Sequence, residues 1–337
     1  MTRKSLTIGI ILLFLFCNIP FTTTSDENNC NLNAKTLYVG GSGPGNYTKI
    51  QNAIDDASDG DTIFVYNGTY YGTINVHKSI ILQGQDKYST ILDGGGSAKY
   101  IIVLRKDNTQ IIRFTIRKAI GSYSAGIYTD ISSNNVISDN IIEDAYYGIC
   151  FKGDYHYLVK NSTISNCLIR RTSYGIYAIE SNSHNIHNNK ILNSNNGILL
   201  IDSSVNNINN NLFENNNYGI QLVHEYFLEP SRSNEITYNS FVENSNGIFI
   251  DGNNYNNYIR YNNFIGNIVS LSFIYGFTPT LFPMNKIDYN YWDNWIGIGP
   301  KLILGLHYFF IPFPIILWFN LDLYPAKEPY DIPVPEV

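Results

Sequence analysis

Three side chains able to trade protons recur at one interval: Glu180, Asp202 and His224 stand 22 residues apart. Each also stands five residues after a glycine, at Gly175, Gly197 and Gly219. If the structure repeats with that interval, the three stack along one edge with backbones about 4.8 Å apart. Two carboxylates at such spacing could act as acid and nucleophile of a retaining glycosidase, or hold a hard cation such as calcium. Asp130, Glu225 and Asp251 lie near the same edge. No Lys or Arg shares the register, so lyase chemistry lacks a group to steady an enolate-like intermediate. The plainer reading of all three is as polar turn residues at the rim of a coil.

A second set is aromatic. Tyr147, Tyr174 and Tyr218 immediately precede glycines, while Tyr128, Tyr177 and Phe249 follow glycines by two residues. Rings in line on a sheet offer a platform for sugar faces, or they stabilise neighbouring strands by cross-strand contact. Cys150 falls on the same outward line and is not aligned with Cys167, which argues against a disulfide between them. His184 and His187 are three apart in a short-strand region, where opposite parity sends them to opposite faces; both read as solvated turn residues.

The elements that would position these groups follow from a repeat. Gly-Ile occurs at Gly126, Gly148, Gly175, Gly197, Gly219 and Gly247, in steps of 22, 27, 22, 22 and 28. Eleven residues before the last five stand Ile137, Ile164, Ile186, Ile208 and Ile236; eight before them stand Asn140, Cys167, Asn189, Asn211 and Asn239. A degraded copy follows at Ile259 and Asn262. The extra residues of the two long steps fall around Gly153 to Lys160 and Tyr226 to Ser233, as loops. Apolar residues alternate with period two around each glycine, and runs of three to five residues are broken by Asn, Ser and Gly. The expectation is an all-β chain: a single-stranded right-handed parallel β-helix of about 22 residues per coil. Its isoleucines form inner columns, an inward Asn column links coil to coil, and Gly serves where φ is positive or backbones approach closely.

Such a rod needs both ends covered. Ile50, Ala53, Ile54 and Ala57 have helical spacing and suit an N-terminal capping helix. The aromatic and Pro-rich end suits a C-terminal plug. Leu302 to Phe319 is nearly uncharged, but Pro312 and Pro314 favour an irregular cap over a spanning helix; membrane association through residues 302–319 is the alternative. The organisation expected is thus a signal peptide at 1–25, the cap and first coils at 36–100, the repeat array at 101–271 and a cap or anchor at 272–337.

Composition bounds the partners. Net charge is −6 and 15% of residues are charged, which leaves no positive field for a nucleic acid. Arg3 and Lys4, the apolar run Leu6 to Cys17 and the polar stretch after it have the order of a secretory leader, so an extracellular or cell-surface location is expected. Cys30, Cys150 and Cys167 then remain, too few and odd in number for a disulfide framework. Sequons at Asn46, Asn67 and Asn161 are candidate glycan acceptors.

The chain resembles exported β-helix repeat proteins related to the NosD family, of the kind abundant on methanogenic archaea. The residues that carry the likeness are Tyr47-Thr48-Lys49-Ile50-Gln51-Asn52-Ala53-Ile54, Asp59-Gly60-Asp61-Thr62-Ile63-Phe64-Val65, Asn67-Gly68-Thr69-Tyr70, the Gly-Ile repeats and Asn290-Tyr291-Trp292-Asp293. The resemblance implies a pectin-lyase-like fold, shared with carbohydrate-active enzymes, and its family name implies copper delivery. Copper draws on soft sulfur or clustered imidazole, and only Met1 and Met284 are present, so no copper site and no cofactor is expected, with a divalent cation such as calcium as the alternative. The favoured function is a non-catalytic surface protein that binds polysaccharide or a surface glycoprotein. A glycoside hydrolase, lyase or epimerase-like enzyme is the alternative, and copper handling a distant third.

Overall fold

A computed structural model describes residues 34–154, 156–225, 229–275, 285–308 and 315–337. The expected signal peptide at 1–25, Cys30 and Met284 lie outside the described residues. Residues 34–337 form one compact unit.

The repeat folds as its period demands. An 11-stranded parallel sheet runs from Thr36–Val39 to Lys286–Asp288, taking one strand from each coil. A 19-stranded sheet carries the remaining faces, joined where the chain turns the corner unbroken in Ile141–Lys152 and Leu168–Ile179. Register follows the Gly-Ile spacing: Ile127, Ile149, Ile176, Ile198, Ile220, Ile248 and Leu271 pair in succession. The column of Ile137, Ile164, Ile186, Ile208, Ile236 and Ile259 is equally continuous and is buried throughout. A third inner column changes from isoleucine to aromatic rings, as Phe213, Phe241, Phe264 and Trp292 stack 5.0, 4.9 and 4.4 Å apart.

None of the six Gly-Ile glycines has a positive φ; close approach alone explains them. A Cβ on Gly175 would sit 2.5 Å from the Gly197 carbonyl oxygen and 2.7 Å from Ile191 Cγ2. The left-handed turn positions are filled instead by residues such as Asn188, Asn193, Asn210 and Asn215, which tolerate that region best after glycine.

The Asn column is real and longer than the repeat suggests. Asn189 N–H donates to Asn211 Oδ1 at 3.0 Å, Asn211 N–H to Asn239 Oδ1 at 3.0 Å, and the series continues through Asn262 to Asn290. Cys167 takes one rung, its N–H donating to Asn189 and its thiol facing the Ser165 and Ile137 carbonyls. The carboxylate of Asp322 ends the column, accepting from Asn290 N–H and the Trp292 indole at 2.9 Å each.

A second inward column corrects the expectation for His184. That side chain is buried, not solvated: its Nδ1 accepts from Ser162 N–H at 3.1 Å, Nε2 lies 2.6 Å from Ser181 Oγ, and the ring stacks on Phe151. Burial pulls its pKa down to about 4. It is one rung of a column that runs Asn135, Ser162, His184, Asn206, Asn234, Asn257 and Asn285. His187, on the other parity, is half-buried.

Both ends are covered. The helix Ile50–Asp56 buries Ile50, Ala53 and Ile54. From it Gln51 exchanges two hydrogen bonds with the Asn75 backbone, standing in for the strand missing beside Ile74–Val76. At the other end the expectation of an irregular cap is overturned. Lys301–Tyr308 and Ile315–Asp322 form a regular antiparallel hairpin, registered from Lys301 opposite Asp322 to Tyr308 opposite Ile315. Its first strand extends the parallel stack beside Val269–Tyr275. Pairing stops before the two prolines, which lie outside the described residues. No helix among the described residues is long and apolar enough to cross a membrane.

Candidate functional site

The corner after each Gly-Ile strand holds the acid–base set. Ile179, Ile201 and Val223 pair in register, so Glu180, Asp202 and His224 follow on three successive coils. His224 Nδ1 lies 2.9 Å from Asp202 Oδ1, and Glu225 N–H donates to the same carboxylate at 3.2 Å. The Asp202 side chain is only 1% exposed, so this bond is shielded from water. Glu180 and Asp202 both hold left-handed backbone, at φ of 48° and 46°, the conformation that recurs at turns throughout the coils. Gly153 precedes Glu180 in the column and Gly252 follows His224.

The two carboxylates are not ordinary. Burial, reinforced by Asp154, Asp202 and Glu225, raises the Glu180 pKa, and one of its oxygens is buried with no hydrogen-bond partner. Burial also raises the Asp202 pKa, against the lowering effect of the His224 and Glu225 hydrogen bonds. A carboxyl group lifted in this way holds its proton closer to neutral pH and is suited to general acid work. Asp154 belongs to the group and is not foreseeable from the period, because it sits in the first inserted loop. Asp251 is half-buried near Gly252, while Asp130 is committed to Arg105 at 3.0 Å.

This arrangement has a measurable cost. A carboxyl whose folded pKa is raised favours folding fully below the ordinary carboxylate range, and that contribution is lost as pH rises through the raised value. Glu180→Gln is therefore expected to raise the melting temperature at pH 7 by about 1–3 °C and to leave it unchanged near pH 3, as read by thermal denaturation. A lower melting temperature at pH 7 would contradict the burial penalty on the Glu180 carboxylate.

The aromatic set is brought together only in part. Tyr147 and Tyr174 are register partners, as are Cys150 and Tyr177. Tyr146, Tyr147, Tyr174 and Tyr177 form one cluster with Tyr147–Tyr177 centroids at 4.6 Å and Tyr146–Tyr147 at 4.8 Å and 87°. The rings meet tilted and edge-on rather than as a flat stack. Tyr128 stacks on Tyr100 at 4.5 Å and joins the same patch over its register partner Cys150, while Tyr218 pairs apart with Phe249 at 5.7 Å. Asn196 and Leu199 occupy the intervening coil and separate that last pair from the main cluster. Tyr100 and Tyr146 escape the Gly-centred pattern; Tyr100 is found by extending the column backwards to the step opposite Ala125.

Cys150 lies buried beneath these rings, where burial pushes its thiol up to about 12. Burial raises the Tyr177 hydroxyl too, followed by the nearby Cys150 and by the Glu225 charge. Tyr174 and Tyr177 lie on Leu168–Ile179, the strand that ends at Glu180, so the tyrosine cluster leads into the acidic edge.

Of the sequons, Asn67 and Asn161 are exposed, whereas the Asn46 amide nitrogen donates to the Gly40 carbonyl at 2.6 Å. Among the described residues no three His, Cys, Asp or Glu side chains converge so as to hold a metal ion.

Known proteins place this geometry in context. A 102-residue stretch is 37% identical to a cell surface glycoprotein of Methanothermus fervidus; it makes up 30% of this chain and 16% of that relative, so the chain spans under a fifth of it. The A-module of an Azotobacter vinelandii mannuronan C-5 epimerase superposes with a TM-score of 0.60 at 14% identity, covering 72% of this chain and 71% of that one. A pectate lyase superposes with a TM-score of 0.50 at 14% identity, covering 75% and 77%. These two establish the parallel β-helix and nothing of its chemistry.

Residues 54–294 match the family described as periplasmic copper-binding protein (NosD). The described residues do not fit copper. Cys167 is spent in the Asn column with its thiol raised to about 12, both His184 nitrogens are engaged, and Cys150 is sealed under tyrosines. On the match across most of its length, the chain belongs to the NosD family.

Proposed function

We propose that the protein is a cell-surface β-helix that binds carbohydrate on the side of the rod where the tyrosine cluster meets the Glu180, Asp202 and Glu225 edge. The observation that carries this reading is that Tyr174 and Tyr177, both partly exposed, lie on the strand Leu168–Ile179 that runs into the Glu180 corner, with exposed Glu225 two coils further on. Rings supply faces for the apolar side of a sugar, and carboxylates accept from its hydroxyls. The surface location is supported by the glycoprotein relative and by the leader-like sequence at 1–25.

The charge at the edge narrows the ligand. Asp154, Glu180, Asp202 and Glu225 stand near one another and outnumber the basic groups beside them, His224 and Lys152, the register partner of Ile179. A uronate chain would be repelled there, so neutral hexose polymers or amino sugars are the favoured class. Tyr174→Ala and Tyr177→Ala are each expected to weaken binding of such a glycan by about tenfold in calorimetric titration, with the circular dichroism spectrum unchanged. Unchanged affinity in both would overturn the assignment.

A second reading has its own observation. Two carboxyls with raised pKa on adjacent coils suit acid–base hydrolysis of a glycosidic bond. Cleavage of a bound neutral glycan, abolished by Glu180→Gln and Asp202→Asn together, would make the protein an enzyme; binding without cleavage leaves it a receptor.

A further inference from the structure

We infer that the terminal hairpin binds lipid, seating the C-terminal end of the rod in the interfacial layer of a membrane. The pairing sets Leu302 opposite Leu321, Leu304 opposite Phe319 and Leu306 opposite Leu317. Alternation puts these six on one side of the ribbon. The other side meets the fold through Ile303, Gly305, Asn320 and Asp322, all buried. A ribbon with one face on a core ordinarily turns polar residues to water. Here Leu302, Leu304, Leu317 and Phe319 are 50%, 52%, 66% and 56% exposed.

Three observations favour lipid over a second copy of the chain. From Leu302 to Phe319 the sequence holds no Asp, Glu, Lys or Arg, whereas a protein interface carries a polar rim. The base of the ribbon carries Lys301, with exposed Tyr324 just beyond its second strand, the residue types that sit where hydrocarbon meets headgroups. Exposed apolar surface is also present on separate segments, at Ile268 (80%), which lines the same groove as Leu302, Leu304 and Leu317, and at Ile296 (85%). A fluid layer accommodates side chains from several segments, while an isologous dimer needs one self-complementary patch.

A groove of about 470 Å³ between the hairpin and the preceding coils, lined by Phe249, Val269, Leu304 and Leu317 among others, gives an acyl chain room at the same place. Six register steps separate the strand of Tyr147 from Lys301–Tyr308. At about 4.8 Å per step, docking by this end places the tyrosine cluster roughly 29 Å along the rod from the lipid contact.

Flotation with phosphatidylcholine vesicles tests this, using a chain that starts at Ala34 and so contains the whole compact unit without the apolar N-terminal run. That chain is expected to float with the vesicles. The triple variant Leu304→Ser, Leu317→Ser, Phe319→Ser, whose sites are all exposed, should lose the bound fraction at least tenfold with its circular dichroism unchanged. Val205→Ser, another exposed apolar site, should float like the parent. A parent chain that stays with the soluble fraction overturns the inference. If light scattering then shows a dimer that the triple variant splits, the face belongs to a second copy.

Discussion

Asn239→Ala is expected to destabilise the rod by about 3–5 kcal/mol in urea unfolding, far beyond an ordinary polar substitution. The Asn239 side chain accepts from Asn211 N–H and Nδ2 and donates to the Ile208 and Thr237 carbonyls and to Asn262 Oδ1. It is wholly buried, so alanine leaves those groups without partners and without water. Replacing exposed Asn207 should change stability by less than about 0.5 kcal/mol. Equal effects at the two sites would mean that the column does not hold the coils together.

Gly219→Ala should be comparably severe, costing about 3 kcal/mol or more in the same measurement. The added methyl would lie 2.5 Å from the Gly247 carbonyl oxygen and 2.7 Å from Phe241 Cδ1. The first of these is backbone fixed by parallel pairing on both sides, and the second belongs to a ring stacked between Phe213 and Phe264. Neither can yield alone. At Gly45 nothing lies within 4 Å and only its φ of +83° opposes a side chain, so alanine there should cost roughly 1 kcal/mol.

Most of the fold was legible because a solenoid writes its geometry as a period. Gly-Ile spacing gives register directly, and that register holds from Ile127 to Leu271. The same logic stacked Glu180, Asp202 and His224 correctly. What it could not reach were features that change residue type from rung to rung. The second polar column runs through Asn, Ser and His, so no single letter marks it, and sequence pattern alone gives no reason to bury His184. Corner geometry, not strand parity, decides which way such a residue points. The inner ring column was hidden likewise, since Ile191 gives way to Phe213 without a break in register.

At the C-terminus two prolines argued for irregular structure. The paired strands stop short of both, and a hairpin forms from residues whose uniform apolarity erased the alternation that marks a strand. Within the tyrosine set the sequence gauged direction but not partners. Six candidates divide between two groups, Tyr128, Tyr147, Tyr174 and Tyr177 in one and Tyr218 with Phe249 in the other, because Asn196 and Leu199 stand between them.

Hydrogen exchange read by mass spectrometry, with neutral and uronate polysaccharides presented in turn, tests the functional reading at its root. The account predicts that a neutral glycan slows exchange in Ile141–Lys152, Leu168–Ile179 and the corner at Asp202, and that uronate chains do not. No binding anywhere in the panel, or protection confined to the 11-stranded sheet, would contradict it.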